Sequence, residues 1–302
     1  MSFCRTIREL YGAHGEAWLA DLPALLARCA RRWSLEIAPP FPNLSYNYVA
    51  PARRADGVEL VLKAGPPNPE MFTEIAALRC YGGRGIVRLL DADTDWGVLL
   101  LERLRPGTPL TGVTDDEVAT RIAADVMRQL WQPPLPDHTF PTTMKWGAGL
   151  ARLRNTFAGG PGPFPADLVA FAESWYAEMA VAADLPVLLH GDLHHDNILR
   201  ARRQPWLALD PKGVVGEPAY EVGALLRNPL PRLLAYPQPR RVLARRVDLL
   251  AEFFGFSREK IVGWGVAQAV LSAWWSYEDH GHGWESAVAV AQLLRDVSVR
   301  HT

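Results

Sequence analysis

Two segments decide the fold: His190-Gly191-Asp192-Leu193-His194-His195-Asp196-Asn197 and, thirteen residues beyond Asn197, Asp210-Pro211-Lys212-Gly213. Each follows a short apolar run, Val187–Leu189 and Trp206–Leu209, of the length of a buried strand. Asp192 and Asn197 therefore lie in the loop leaving one strand, and Asp210 leaves the next. Three oxygen-bearing side chains at strand ends form a hard, acidic cluster, which suits a cation such as Mg²⁺ better than zinc.

The frame H-x-D-x-x-x-x-N matches the catalytic loop of protein kinases. Phosphoryl transfer asks a protein for alignment and charge neutralisation rather than covalent chemistry. In that chemistry Asp192 accepts a hydrogen bond from the attacking hydroxyl. Asn197 and Asp210 supply the metal oxygens. The histidines His190, His194 and His195 invite a zinc reading, but their spacing matches no HExxH or related pattern, and the acids are better explained by the kinase frame. His190 is expected to brace the loop through hydrogen bonds.

Upstream, Val58–Lys63 reads as a strand, paired with Tyr46–Pro51 through the polar turn Arg53–Gly57. A helix follows: Asn68 caps it, Pro69 takes its first position, and Met71, Ile75 and Leu78 form its buried stripe. Glu74 borders that stripe, eleven residues after Lys63. A strand lysine paired with a helix glutamate is the kinase device for holding the α- and β-phosphates. Ile86–Ala92 and Val98–Leu101 read as a further hairpin, and Glu102–Gly107 as a linker. A helical stretch around Trp18–Trp33 precedes all of this and ends at Pro39, Pro40 and Pro42.

Beyond the linker the pattern is helical. Thr114-Asp115-Asp116-Glu117 reads as a capping box ahead of Val118, Ile122, Val126 and Leu130. Asp167–Ala183 repeats the pattern with Leu168, Phe171, Trp175 and Met179. Ile261–Tyr277 is the most apolar stretch, yet it is shorter than a membrane span and contains Gln268, Ser272 and Ser276, so it reads as a buried helix. Arg240, Arg241, Arg245 and Arg246 read as a solvated face.

Composition sets the limits. The chain has 302 residues, a net charge of -1, 49% hydrophobic and 22% charged residues. That describes a globular chain of about two lobes, with no global field for nucleic acid or anionic lipid. The three separated cysteines, Cys4, Cys29 and Cys80, form no CxxC and fit a reducing cytoplasm. The first residues lack the apolar core of a signal peptide. No G-x-x-x-x-G-K-[ST] is present, so a P-loop kinase is excluded.

HGDLHHDNIL and LALDPKG, together with VLK, EIAALR and LLLERLRPG, resemble the aminoglycoside phosphotransferases, and within them the streptomycin 6-phosphotransferase and hydroxyurea phosphotransferase branch. The resemblance spans roughly residues 40–300. It implies an α+β, protein-kinase-like two-lobe fold: a small N-terminal β-sheet lobe with one key helix over residues 1–104, and a larger, mostly helical lobe over 105–302. It also implies ATP and Mg²⁺, Asp192 as catalytic base, Asn197 and Asp210 as metal ligands, Lys63 on the phosphates with Glu74 as its partner, and the backbone around Glu102–Leu104 holding adenine. Two features depart from kinases. No glycine-rich phosphate loop exists; Pro42–Asn47 stands there, with Ser45 and Asn47 as the candidate phosphate contacts. Lys212 stands where a kinase has an apolar residue or glycine, positioned to meet a phosphate or to pair with an acid.

For the acceptor, Glu217, Glu221, Glu278, Asp279 and Glu285 are candidate wall residues. The mixture of aromatics and acids in Trp274–Glu285 suits a cationic, hydroxylated small molecule, and equally describes core tryptophans beside surface acids. No protein partner is evident. The expected activity is ATP-dependent O-phosphorylation of an aminoglycoside such as streptomycin, or of hydroxyurea. A metabolic kinase for an amino alcohol or sugar, and a non-catalytic nucleotide-binding protein on a kinase fold, are the alternatives.

Overall fold

The computed structural model describes residues 3–181 and 185–298. The chain opens with α1 (Phe3–Trp33), broken at Gly12, where φ is 54°. Strands β1 (Leu35–Ile37), β2 (Tyr48–Arg54) and β3 (Glu59–Ala64) follow, then α2 (Pro69–Tyr81), β4 (Leu89–Asp93) and β5 (Val98–Glu102). The strands form one antiparallel sheet in the order β1-β2-β3-β5-β4. Strand β1 and the length of α1 were not anticipated. The segment Leu35–Ile37 is too short to show alternation, and pairing with Ala52–Arg54 makes it a strand.

Both faces of this sheet are covered, which explains the unbroken apolar run of β5. Val98 and Leu100 point with Leu60, Leu62 and Ala64 toward Leu25 and Cys29 of α1. Leu99 and Leu101 point the other way, into the core shared with α2. The period of two along β3 then turns Lys63 to the α2 face. Helix α2 starts as its sequence requires: Asn68 Oδ1 accepts the Met71 N–H at 3.0 Å, Pro69 is the first residue, and Gly82 closes the helix with a left-handed φ of 57°.

The remainder comprises α3 (Asp116–Leu130), α4 (Thr143–Gly147), α5 (Gly149–Thr156), α6 (Ala166–Val181), β6 (Val187–Leu189), β7 (Ile198–Arg200), β8 (Trp206–Ala208), β9 (Val214–Gly216), α7 (Val222–Arg227), α8 (Pro239–Phe254), α9 (Arg258–His280) and α10 (Glu285–Ser298). The expected end of α6 at Ala182 and Ala183 lies outside the described residues. The cap of α3 is Asp115, one residue later than the box implied; its Oδ1 accepts from Glu117 and Val118. The stripe is shifted with it. Val118 is exposed, and Ala119, Ala123, Val126, Met127 and Leu130 are buried.

Helix α9 is the centre of this body. It is buried on every side along Ile261–Leu271, among α6, α7, α8 and α10, so its apolarity reflects core packing. Gly263 allows the approach of α6: a Cβ there would lie 2.2 Å from the Trp175 ring. No helix among the described residues is long and apolar enough to cross a membrane. Arg246 departs from the expected solvated face. It is fully buried and binds Asp116, the Leu225 carbonyl and the Asn228 carbonyl, tying α8 to α3 and to the end of α7.

The sheet and the helical body are stitched together beside the linker. Val87 N–H donates to the Ala208 carbonyl at 2.8 Å, and Ala208 N–H to the Gly85 carbonyl at 2.9 Å. Arg203, in the β7–β8 turn, donates to the Gly83 and Ile86 carbonyls and to both oxygens of Glu102.

Candidate active site

The site grows from two small β ladders. Strand β6 pairs with β9, and β7 with β8, all antiparallel. The loop from β6 to β7 carries Asp192 and Asn197, and the segment from β8 to β9 carries Asp210 and Lys212. Leu209 N–H donates to the Asn197 carbonyl at 3.0 Å, so the two segments are joined at the point where the side chains diverge. Gly191 has a φ of 86°, and a Cβ there would lie 2.8 Å from the Trp146 ring; both its conformation and its surroundings require glycine. Asp210 holds a φ of 65°, a left-handed conformation that costs a residue with a side chain.

His190 braces this loop. Its Nδ1 accepts the Asp192 N–H at 3.2 Å, and its Nε2 meets the Leu209 carbonyl at 2.8 Å. Its carbonyl accepts the Lys212 N–H at 2.8 Å. Glu221 completes the brace by accepting the His190 N–H at 2.7 Å and the Gly191 N–H at 2.9 Å. Burial pushes the Glu221 carboxyl up to about 7, against those two donors.

Lys63, Glu74 and Asp210 meet at one point. Lys63 Nζ lies 2.8 and 2.7 Å from the two Glu74 oxygens and also donates to Asp210 Oδ1. Burial opposes the Lys63 charge, but Asp210 and then Glu74 outweigh it and raise its pKa. Two acids share this one ammonium unequally. Burial disfavours the charge of both; for Asp210, Lys63 and Lys212 outweigh it and hold the carboxyl well below the usual range. Burial pushes Glu74 up to about 7 despite Lys63.

Asp192 is held from the opposite side. Arg227, the last residue of α7, donates to its Oδ1 at 2.9 Å, and His194 Nε2 lies 3.6 Å from Oδ2. Burial works against its charge, yet His194, Arg227 and Lys212 hold the carboxyl well below the usual range. Asn197 Nδ2 donates to the Asp192 carbonyl at 3.0 Å, which turns its Oδ1 away from that bond as a free acceptor. Among the described residues, no group of three or more His, Cys, Asp or Glu side chains is arranged to hold a metal alone. An Asp carboxylate and an Asn amide oxygen fit Mg²⁺ shared with phosphate oxygens and water.

The other sequence candidates are placed as follows. Ser45 is exposed in the loop before β2, and Asn47 Oδ1 packs over Gly65, where a Cβ would lie 2.3 Å away. Glu102 spends its carboxylate on Arg203 and the Arg88 N–H, leaving only its backbone and that of Leu104 near the linker. Lys212 pairs with Glu70, in the first turn of α2. Two wall expectations are corrected. Glu221 is buried under the loop, as described. Glu217 is buried against Lys260 and Trp264 Nε1, because an interior carboxylate must find donors. Glu278 forms a two-point pair with Arg152 at 2.8 and 2.9 Å. Asp279 and Glu285 are exposed. Burial pushes the Tyr46 phenol up, with Asp279, Glu70 and Asp192 adding to the effect and Lys212 opposing it.

Arg227 was not legible in the sequence. It sits thirty-five residues beyond Asp192 in no motif, and only the return of α7 under the loop brings it there.

A five-stranded sheet with a lysine–glutamate pair, joined to a helical body that presents an Asp–Asn loop and a second Asp, is the architecture of the protein-kinase-like phosphotransferases. The sequence profile of the aminoglycoside/hydroxyurea antibiotic resistance kinases matches residues 32–280. The chain belongs to that family. It is 35% identical to a streptomycin 6-kinase of Streptomyces griseus over 276 residues, 89% of this chain and 87% of that protein. It is 34% identical to a hydroxyurea phosphotransferase of Kitasatospora aureofaciens over 296 residues, 94% of this chain and 82% of that protein. The fold also matches the crystal structure of a thermostable mutant aminoglycoside phosphotransferase in ternary complex with ADP and hygromycin B. The TM-score is 0.63 at 12% identity, covering 91% of this chain and 99% of that one.

Proposed function

We propose that this chain is a cytoplasmic, ATP- and Mg²⁺-dependent kinase that phosphorylates a hydroxyl of a small acceptor, either an aminoglycoside such as streptomycin or hydroxyurea. The observation that carries this reading is the convergence of Lys63, Glu74 and Asp210 on one point, beside the loop of Asp192 and Asn197. Relatives with 34–35% identity that phosphorylate these acceptors support it.

Magnesium, when bound with ATP, neutralises the phosphate charge. Lys63, oriented by Glu74, holds the α- and β-phosphates, and Asp210 and Asn197 would hold the metal. Backbone groups at Glu102–Leu104 hold the adenine at the boundary near residues 104 and 105, and Ser45 and Asn47 cover the phosphates. Asp192 Oδ2 accepts a hydrogen bond from the acceptor hydroxyl, with Oδ1 fixed by Arg227. The acceptor oxygen bonds to the γ-phosphorus as the bond to the β–γ bridging oxygen breaks. ADP carries away that electron pair, and the hydroxyl proton passes to Asp192. Asp279 is the candidate for negative charge on the acceptor side, since Glu278 is paired with Arg152. A phosphate on the antibiotic adds up to about two negative charges and so spoils its fit to an anionic target.

Radiolabelled ATP with a panel of streptomycin, other aminoglycosides, hydroxyurea, choline, homoserine and sugars tests the proposal. Phosphorylated streptomycin or hydroxyurea is the expected product; turnover with a metabolite alone refutes it. Asp192→Asn is expected to lower kcat by about 10²–10⁴ with ATP binding kept. Unchanged turnover removes Asp192 from the mechanism.

A further inference from the structure

Lys212 has a different kind of partner from Lys63. The Lys63 side chain is 7% exposed and locked between two acids. Lys212 is 34% exposed, and its partner Glu70, across the cleft on α2, is 59% exposed. A pair at such a solvent edge contributes little to stability. The root of Lys212 is firm, because its N–H and that of Gly213 both donate to the His190 carbonyl, at 2.8 and 3.3 Å. Its head lies on a flexible four-carbon stem. Lys212 follows Asp210 by two residues, its backbone is tied to the residue two before Asp192, and its head crosses to Glu70 on α2, so it borders the cleft beside both assigned acids.

We propose that Lys212 is a catalytic residue whose ammonium leaves Glu70 to contact the γ-phosphoryl group, with Glu70 holding it at the cleft mouth beforehand. This rests on the kinase reading above. The exchange is favourable because a charge-assisted contact to a multiply charged phosphate outweighs an exposed ion pair. It also gives the site a cation for the γ-phosphate, while Lys63 stays with the α- and β-phosphates.

Calorimetric titration of the full chain with Mg²⁺ and either ADP or the imido analogue of ATP tests this without turnover. Lys212→Met is expected to weaken the imido analogue about tenfold and ADP by less than about twofold. Glu70→Gln, at an exposed position, is expected to tighten the imido analogue relative to ADP. Equal weakening of both nucleotides in K212M assigns Lys212 a structural role and overturns the proposal. An unchanged affinity ratio in E70Q overturns the part played by Glu70. A wild-type chain that binds neither nucleotide refutes the kinase reading instead.

Discussion

His190 is kept neutral inside the fold, and this sets a measurable pH limit on stability. The ring is fully buried. Because Nδ1 accepts the Asp192 N–H, Nε2 carries the proton and donates to the Leu209 carbonyl. A second proton, on Nδ1, would face an N–H donor. Burial brings the pKa from 6.5 down to about 4, with the Leu209 carbonyl and the carboxylates of Asp192 and Asp210 opposing it. Between these values the unfolded chain binds a proton that the folded chain refuses. The stabilisation is therefore complete above pH 6.5 and is lost as the pH falls toward 4. From pH 8 to pH 4.5 the loss from this one residue is about 2–3 kcal/mol. Urea unfolding of wild type and His190→Gln, followed by tryptophan fluorescence at pH 8, 6.5, 5.5 and 4.5, isolates it. Glutamine keeps a donor near the Leu209 carbonyl and does not titrate. At pH 8 the variant is expected to be less stable, because the Asp192 N–H loses its acceptor. By pH 4.5 the gap closes or reverses by about that amount. A gap identical at pH 8 and pH 4.5 refutes the reasoning.

Two further outcomes follow from the buried Arg246 and the half-buried Arg227. Arg246→Met strands Asp116 and two carbonyls in the interior, and is expected to cost about 3–5 kcal/mol, read as a fall in the urea midpoint; a loss under about 1 kcal/mol would show the pair to be dispensable. Arg227→Met removes a guanidinium that helps hold the Asp192 carboxyl low, so that carboxyl rises toward its ordinary range. The acid limb of kcat/KM is then expected to move to higher pH in the variant, and superimposable limbs would contradict this.

Much of the site was legible because its pieces are local. The H-x-D-x-x-x-x-N frame, the Asp210 segment and the Asn68-Pro69 helix start all depend on spacing within one or two elements, and the chain's own stereochemistry enforces them. The Lys63–Glu74 pair was also readable, since a strand period of two and a helix period of 3.6 set both faces. The polar capping box of α3 was misplaced by one residue because adjacent Thr114 and Asp115 are both good cap residues, and only the backbone geometry distinguishes them.

What the sequence determined by itself is the chemistry: the residue types, their order and the elements that carry them. The tertiary structure decided which charges meet across distance. Arg227 reaches Asp192, Lys212 reaches Glu70, Glu221 turns inward to hold the loop, and Arg246 is buried where four arginines read as surface. These pairings join residues up to 142 positions apart. Their partners are selected by which helix returns against which loop, and no periodicity along the chain encodes that.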